Sequence, residues 1–296
     1  MTTGHVPVMT AEALRFLAPE RGGVFVDCTV GLGGHSKAML EAGATRVIGI
    51  DRDQDALAIA RVTLAPWEKN VELVHSDYRA ISSVLEGLNL PHVDGALADL
   101  GVSSMQFDDA GRGFSFQRDE PLDMRMDRTS GETAAQLIAR AEEHVLADTI
   151  YAYGEERFSR RIARAIVEAR REAPIDTTVR LATIVRRAIP TRGWQRIDPA
   201  TRTFQALRIW VNAELEGLDA FLAEALTRLR AGARLVVITF HSLEDRIVKH
   251  TLRGLEKSAD AAVKVLTKKP VIPGDDEIAR NPRARSAKLR AAEKLA

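Results

Sequence analysis

The chain has 296 residues, 45% of them hydrophobic and 28% charged, with a formal net charge of +1. That length calls for one large or two unequal domains, and a core of that size needs no disulfide staples. The sole cysteine, Cys28, excludes an intrachain disulfide or thiolate metal cluster, and no apolar run reaches the ~20 residues that cross a bilayer. With no basic-then-apolar leader at the N-terminus, a cytoplasmic protein is expected.

The small net charge conceals an asymmetry. Residues 1–154 carry 13 Lys/Arg against 23 Asp/Glu, residues 155–208 carry 13 against 6, and residues 264–296 carry 9 against 4. An acidic half followed by basic stretches points to an anionic partner, nucleic acid first. Two solvated helix faces would leave the same record.

Short apolar runs alternate with amphipathic stretches through the first half, as in βαβ units of a parallel sheet. Strands are predicted at 23–27, 46–50, 71–75 and 93–99, with helices over 36–42 and 53–64. The next convincing strand, 233–240, comes more than a hundred residues later. A crossover needs little more than one helix, so most of that gap is an inserted unit. Its pattern is helical over 133–140, 156–172, 179–188 and 203–230, with Pro174 and Pro190 as punctuation. The tail offers a strand at 262–266 and a basic end, 283–290, that periodicity leaves as strand or helix.

Between the first strand and its helix lies Asp27-Cys-Thr-Val-Gly31-Leu-Gly33-Gly34-His35-Ser36. Glycines in such a turn let the backbone bend sharply and approach a ligand. Asp51 ends the second strand, where a carboxylate accepts hydrogen bonds from nucleotide ribose hydroxyls in doubly wound folds. The dinucleotide fingerprint asks for glycine where Ser36 stands, and no phosphate loop is present. An acid before the turn, Asp27, suits a cationic ligand without phosphate, and S-adenosylmethionine has that chemistry. Asp77 and Tyr78, after the third strand, are placed to meet its adenine, Tyr78 by stacking. A methyltransferase is favoured over a nicotinamide-dependent oxidoreductase, which the turn and the acid alone still allow.

More specific words follow. They are His5-Val-Pro-Val, Gly31-Leu-Gly-Gly-His-Ser36, Ile50-Asp-Arg-Asp53, Asp99-Leu-Gly-Val-Ser-Ser104 and Arg112-Gly-Phe-Ser-Phe116. Pro121-Leu-Asp-Met-Arg-Met-Asp127, Tyr153-Gly-Glu-Glu-Arg157, Pro199-Ala-Thr-Arg-Thr-Phe-Gln-Ala206, Phe240-His-Ser-Leu-Glu-Asp-Arg-Ile-Val-Lys249 and Asn281-Pro-Arg-Ala-Arg-Ser286 extend the set almost end to end. In these the sequence resembles the MraW (RsmH) family of bacterial methyltransferases, which methylate the exocyclic N4 of a cytidine in the decoding region of 16S ribosomal RNA. The resemblance implies an α/β fold, a Rossmann-like class I methyltransferase sheet with an inserted all-helical domain. Residues 1–104 and 211–296 would form the S-adenosylmethionine-dependent domain, and 105–210 the helical insertion that recognises RNA. It further implies cofactor contacts at Gly33, Gly34, His35, Asp51, Tyr78, Asp99 and Gln106, to which the turn itself adds Gly31.

Asp99 is the candidate for the reacting centre. Many amino-methylating enzymes carry an Asp/Asn/Ser-Pro-Pro-aromatic motif after the fourth strand; here Asp99 has that place, but Leu100-Gly-Val-Ser-Ser follows it. Either it receives the amino group or it holds the sulfonium end of the cofactor; a capping Asp is the plain alternative. Phe114, Phe116 and Trp194 are candidates for stacking on the displaced base, although helix-face aromatics more often fill cores. Arg157–Arg171 and Arg283–Arg290 are the candidate phosphate contacts. Arg160 and Arg164 lie one turn apart and could face the RNA together, while Glu156 and Arg160 could equally form a surface pair. His241, after the fifth strand, reads as structural. No zinc-ligand spacing occurs, so no metal is expected. The expected partner is 16S rRNA, within the small ribosomal subunit, with no membrane; a homodimer and a catalytically silent RNA binder stay open.

Overall fold

The computed structural model describes residues 7–102, 106–107, 111–190, 197–258 and 262–296. The chain divides into two compact units, Met1–Gly101 with Leu215–Ala296, and Val102–Glu214.

In the first unit β1 (Val24–Asp27), β2 (Arg46–Asp51), β3 (Val71–His75), β4 (Val93–Asp99), β5 (Leu229–Thr239), β6 (Val263–Val265) and β7 (Lys288–Lys294) form one sheet. Their order is β3-β2-β1-β4-β5-β7-β6. β1 to β5 pair in parallel, whereas β7 runs antiparallel to both β5 and β6. This is a Rossmann-like, doubly wound sheet, and its direction of winding reverses between β1 and β4.

Alternation along the strands builds two cores. Phe25, Val47, Leu97, Val236 and Ile238 pack with Leu17 of α1 (Thr10–Leu17), Met39 of α2 (Gly34–Glu41) and Leu57 of α3 (Gln54–Thr63). Their strand neighbours Val26, Ile48, Ala96, Leu235 and Val237 form the other core. It includes Leu85 of α4 (Ile81–Gly87), Phe221 of α10 (Leu218–Thr227) and Leu252 of α11 (Ser242–Glu256). Near-continuous apolar strands are what a sheet covered on both faces requires. The short helix α12 (Asp275–Arg280) precedes β7.

The second unit is helical, with α5 (Ala134–Arg140), α6 (Glu143–Gly154), α7 (Ser159–Glu172), α8 (Thr178–Ala188) and α9 (Ala200–Asn212). It has its own core, in which Ile138, Ile150, Ile166, Val185 and Leu207 meet Phe114 and Met124. On α7, Ile162, Ala163, Ile166 and Val167 recur at helical spacing and are buried.

Two expectations are corrected. The single helix over 203–230 is instead α9, a break, and α10, with Leu229 already in β5. The break is a Schellman turn built on alanine: Ala213 takes φ 49°, Glu214 N–H donates to Ile209 O and Ala213 N–H to Trp210 O. Arg208 donates to both carboxylate oxygens of Glu214, each at 2.9 Å, and locks it. Phe114 is buried, and Phe116 packs edge-on to Phe204 at 4.8 Å, so both serve the core of the second unit from a non-helical segment. Trp194 lies outside the described residues. Among the described residues no helix is long and apolar enough to cross a membrane.

Asn212 ends α9 and stitches the second unit together. Its side chain accepts from Met126 N–H at 2.8 Å and donates to Met124 O at 2.7 Å. Replacing it with alanine leaves those buried main-chain groups unpaired, at about 1–3 kcal/mol each. Asn212→Ala is expected to lower the unfolding free energy by about 3 kcal/mol in chemical denaturation, where a surface substitution would move it by under about 0.5 kcal/mol.

Candidate functional site

β1, β2 and β4 end side by side, and each ends on an aspartate: Asp27, Asp51 and Asp99. The turn after β1 is held against this row. Gly31 takes φ 51°, and among the described residues only the Thr29 carbonyl lies within 4 Å of where a Cβ would sit, so the main chain there has room for a ligand. Gly33 takes φ 86° as it enters α2, and a side chain there would press on Leu64 at 3.1 Å. Gly34 opens the helix beneath Pro7, and His35 and Ser36 are buried in its first turn.

Asp51 links the turn to β2. Its Oδ2 accepts the Gly31 N–H at 2.8 Å and its Oδ1 accepts the Asp53 N–H at 2.9 Å. Each oxygen keeps a further lone pair for a ligand hydroxyl. Burial outweighs these hydrogen bonds and pushes the Asp51 pKa up to about 6.

Asp27 is wholly buried and serves as an internal support: Oδ2 accepts from Ser36 Oγ at 2.7 Å and Oδ1 from Thr29 N–H at 3.3 Å. The serine that breaks the dinucleotide fingerprint is therefore the donor that satisfies this acid. Burial raises the Asp27 pKa, although His35 and the two hydrogen bonds oppose it.

Asp99 is fixed at two points. Its N–H donates to Thr29 Oγ1 at 2.7 Å, and its Oδ2 lies 3.4 Å from His35 Nε2. Among the described residues neither Asp99 Oδ1 nor His35 Nε2, both buried, has an aligned hydrogen-bond partner. Burial disfavours a charged His35, but Asp99, Asp27 and Glu277 outweigh it and hold the ring above the ordinary histidine pKa.

Tyr78 begins the turn after β3 and packs edge-on to Phe221, with ring centroids 4.6 Å apart. Asp77, read in the sequence as an adenine contact, is taken up differently. Arg79 donates to its Oδ1 through Nε at 2.8 Å and to Oδ2 at 2.6 Å, and also reaches Glu216 O. Burial pulls against this, yet the Arg79 and Arg52 guanidinium groups hold the Asp77 carboxyl below its ordinary range. Gln106 is buried and belongs to the second unit.

His241 is structural on its Nδ1 side, while its buried Nε2 has no aligned hydrogen-bond partner among the described residues. It caps α11, with Nδ1 receiving the Glu244 N–H at 3.4 Å while Glu244 Oε2 accepts the His241 N–H. The basic end is corrected in part. Arg290 is buried in β7 and bonded to Asp245 at 2.6 Å, with Lys288 3.5 Å from the same carboxylate; Arg285 remains exposed. In α7 the outward face carries Arg160, Arg161, Arg164 and Arg171, with Arg157 just before it. Arg164 lies 3.6 Å from Glu143, whereas Arg157, Arg160, Arg161 and Arg171 have no carboxylate partner among the described residues. Of the two alternatives for Arg160, the Glu156–Arg160 pair does not form, because Glu156 is buried, accepts the Phe158 N–H and lies 3.7 Å from Arg202.

Sequence reasoning missed Thr29, Arg79 and Glu277. Thr29 sits inside the singled-out turn; Glu277 comes from α12, where no motif marks it, and its Oε1 accepts the Met9 N–H at 2.6 Å.

The chain matches the model of the MraW methylase family over residues 2–295. The ribosomal RNA small subunit methyltransferase H of Sorangium cellulosum is 54% identical over 291 residues, covering 98% of this chain and 91% of that protein. The protein of the same name from Geotalea uraniireducens is 48% identical over 307 residues, with 98% of each chain covered. Among solved structures, an rRNA methylase from Streptococcus thermophilus is similar at a TM-score of 0.45 and 12% identity, covering 99% of this chain and 100% of that one.

If Asp51 receives the ribose hydroxyls, a carboxyl whose pKa burial pushes up to about 6 makes cofactor affinity depend on pH. As pH falls through 6, Asp51 gains a proton and loses an acceptor site, so binding weakens. S-adenosylhomocysteine affinity, measured by calorimetry, is expected to drop about tenfold from pH 7 to pH 5, and Asp51→Asn to flatten that profile. A wild-type affinity constant across this range would remove Asp51 from the contact.

Proposed function

The chain belongs to the MraW methylase family and is an S-adenosylmethionine-dependent ribosomal RNA methyltransferase; on that premise we propose that it methylates the exocyclic N4 of a cytidine in the decoding region of 16S rRNA. The nicotinamide alternative falls away with the family. The observation that carries the proposal is Asp99 Oδ1, a buried acceptor without a hydrogen-bond partner among the described residues, at the point where the sheet reverses.

The residues fit the cofactor. Gly31 leaves open space at the strand ends, Asp51 keeps lone pairs for ribose hydroxyls, and the partly exposed Asp51 and Asp99 suit a ligand carrying a sulfonium and an ammonium. When bound, S-adenosylmethionine supplies an electrophilic methyl group on a cationic sulfur. Gly31, Gly33, Gly34 and Asp51 are proposed to hold it, with His35 close by, Tyr78 against its adenine and Gln106 as a further contact.

Cytosine N4 is a weak nucleophile because its lone pair is delocalised into the ring. Holding it in line with the methyl group supplies much of the rate. Asp99 adds an acceptor where positive charge develops and takes one N4 proton as the N–C bond forms. Such a base must leave its stack, and the second unit is proposed to grip the RNA around it. The arginines of α7 that lack carboxylate partners, Arg157, Arg160, Arg161 and Arg171, are its phosphate contacts. Arg285 in the tail joins them.

Incubating small ribosomal subunits with methyl-labelled cofactor is expected to place label in the decoding region of 16S rRNA, read by nuclease mapping. Asp99→Asn should lower the single-turnover rate at saturating cofactor by about 100-fold. An unchanged rate would reduce Asp99 to a cofactor contact. Neutralising Arg160 and Arg161 to glutamine should reduce the slope of log affinity against log salt by about 1.5. An unchanged slope would move the RNA elsewhere.

A further inference from the structure

We infer that His35 is a positioning residue for methyl transfer, acting through Asp99 rather than through the cofactor; the inference rests on the role proposed for Asp99 above. A carboxylate at a strand end can rotate and offer either oxygen. Here Asp99 is held from two sides by one short segment. Thr29 Oγ1 accepts its N–H at 2.7 Å, and His35 Nε2 stands 3.4 Å from its Oδ2. With Oδ2 facing the ring, Oδ1 is the oxygen left for an incoming amino group, and it is the one with no partner among the described residues.

The placement of His35 is costly for a purely structural ring. It lies buried in the first turn of α2, where both desolvation and the unpaired N–H groups of the helix disfavour a cation. Around it stand carboxylates from three elements: Asp27 of β1, Asp99 of β4 and Glu277 of α12. Their combined attraction keeps the ring's pKa above the ordinary histidine value despite its burial. Standing 3.4 Å from Asp99 Oδ2, the ring limits how that carboxylate can turn, and protonation of the ring would add an electrostatic hold. Glu277 extends the arrangement to the N-terminal segment, since its Oε1 also accepts the Met9 N–H. The same turn that receives the cofactor thereby aims the neighbouring strand's carboxylate.

Two measurements decide the matter. In the free protein, the His35 titration followed by proton–nitrogen NMR should move down by about one unit in Asp99→Asn. An unmoved titration would overturn the coupling. In the loaded enzyme, His35→Ala should lower the single-turnover rate at saturating cofactor by about tenfold or more, beyond its effect on S-adenosylhomocysteine affinity, and His35→Gln should recover part of the rate by restoring a donor. A loss confined to affinity, with the saturated rate intact, would make His35 a cofactor contact only. If the wild-type chain transfers no label to small-subunit RNA, the proposed function fails while the titration result still stands or falls by itself.

Discussion

The hydrogen bond from the Gly31 N–H to Asp51 joins the turn after β1 to the end of β2, and the site is organised around it. Its acceptor is a half-buried carboxyl set beside other acids. Asp27 and Asp51 both have raised pKa values because water has been removed from them. Such a cluster is unfavourable in the empty protein, and it is relieved by cations. The fold sets the Arg79 guanidinium against Asp77 at β3, and places His35, whose pKa these acids raise, beside Asp27 and Asp99. On the proposed reading, the acids left without a cation suit the positive charge of S-adenosylmethionine.

The division of labour within the row follows from burial. Asp27 is sealed and faces inward, so it shapes the turn through Ser36 and Thr29. Asp51 and Asp99 are partly exposed and keep acceptor capacity for ligands. Asp77 is occupied by Arg79, which also reaches the main chain at Glu216. At the β3 end, the proposed adenine contact therefore falls to Tyr78, whose ring is braced against Phe221.

The strands, the glycine turn and Asp51 were legible because their signals are local: alternating apolar residues, a tight turn, an acid at a strand end. The break at Ala213 was not, because an alanine in a left-handed conformation gives no glycine signal and is held by the Arg208–Glu214 pair. His241 was read as structural, but not as a cap, since the capping-box pattern leads one to look for serine or threonine. Arg290 resembled its basic neighbours until β7 carried it inward to Asp245. Glu277 meets Met9 across 268 residues, a proximity no periodicity encodes.

The second unit carries the other half of the account, with an apolar face of α7 turned inward and arginines turned out. The charge asymmetry of the sequence thus resolves into an acidic cofactor site and a basic helix on separate compact units. Whether the chemistry is amino methylation is tested most directly by nucleoside analysis. Small-subunit RNA methylated by the purified chain would be digested to nucleosides and resolved by mass spectrometry against standards. The account predicts a single labelled product, N4-methylcytidine. Label on a ribose 2′-oxygen, on a ring carbon or on another base would contradict it.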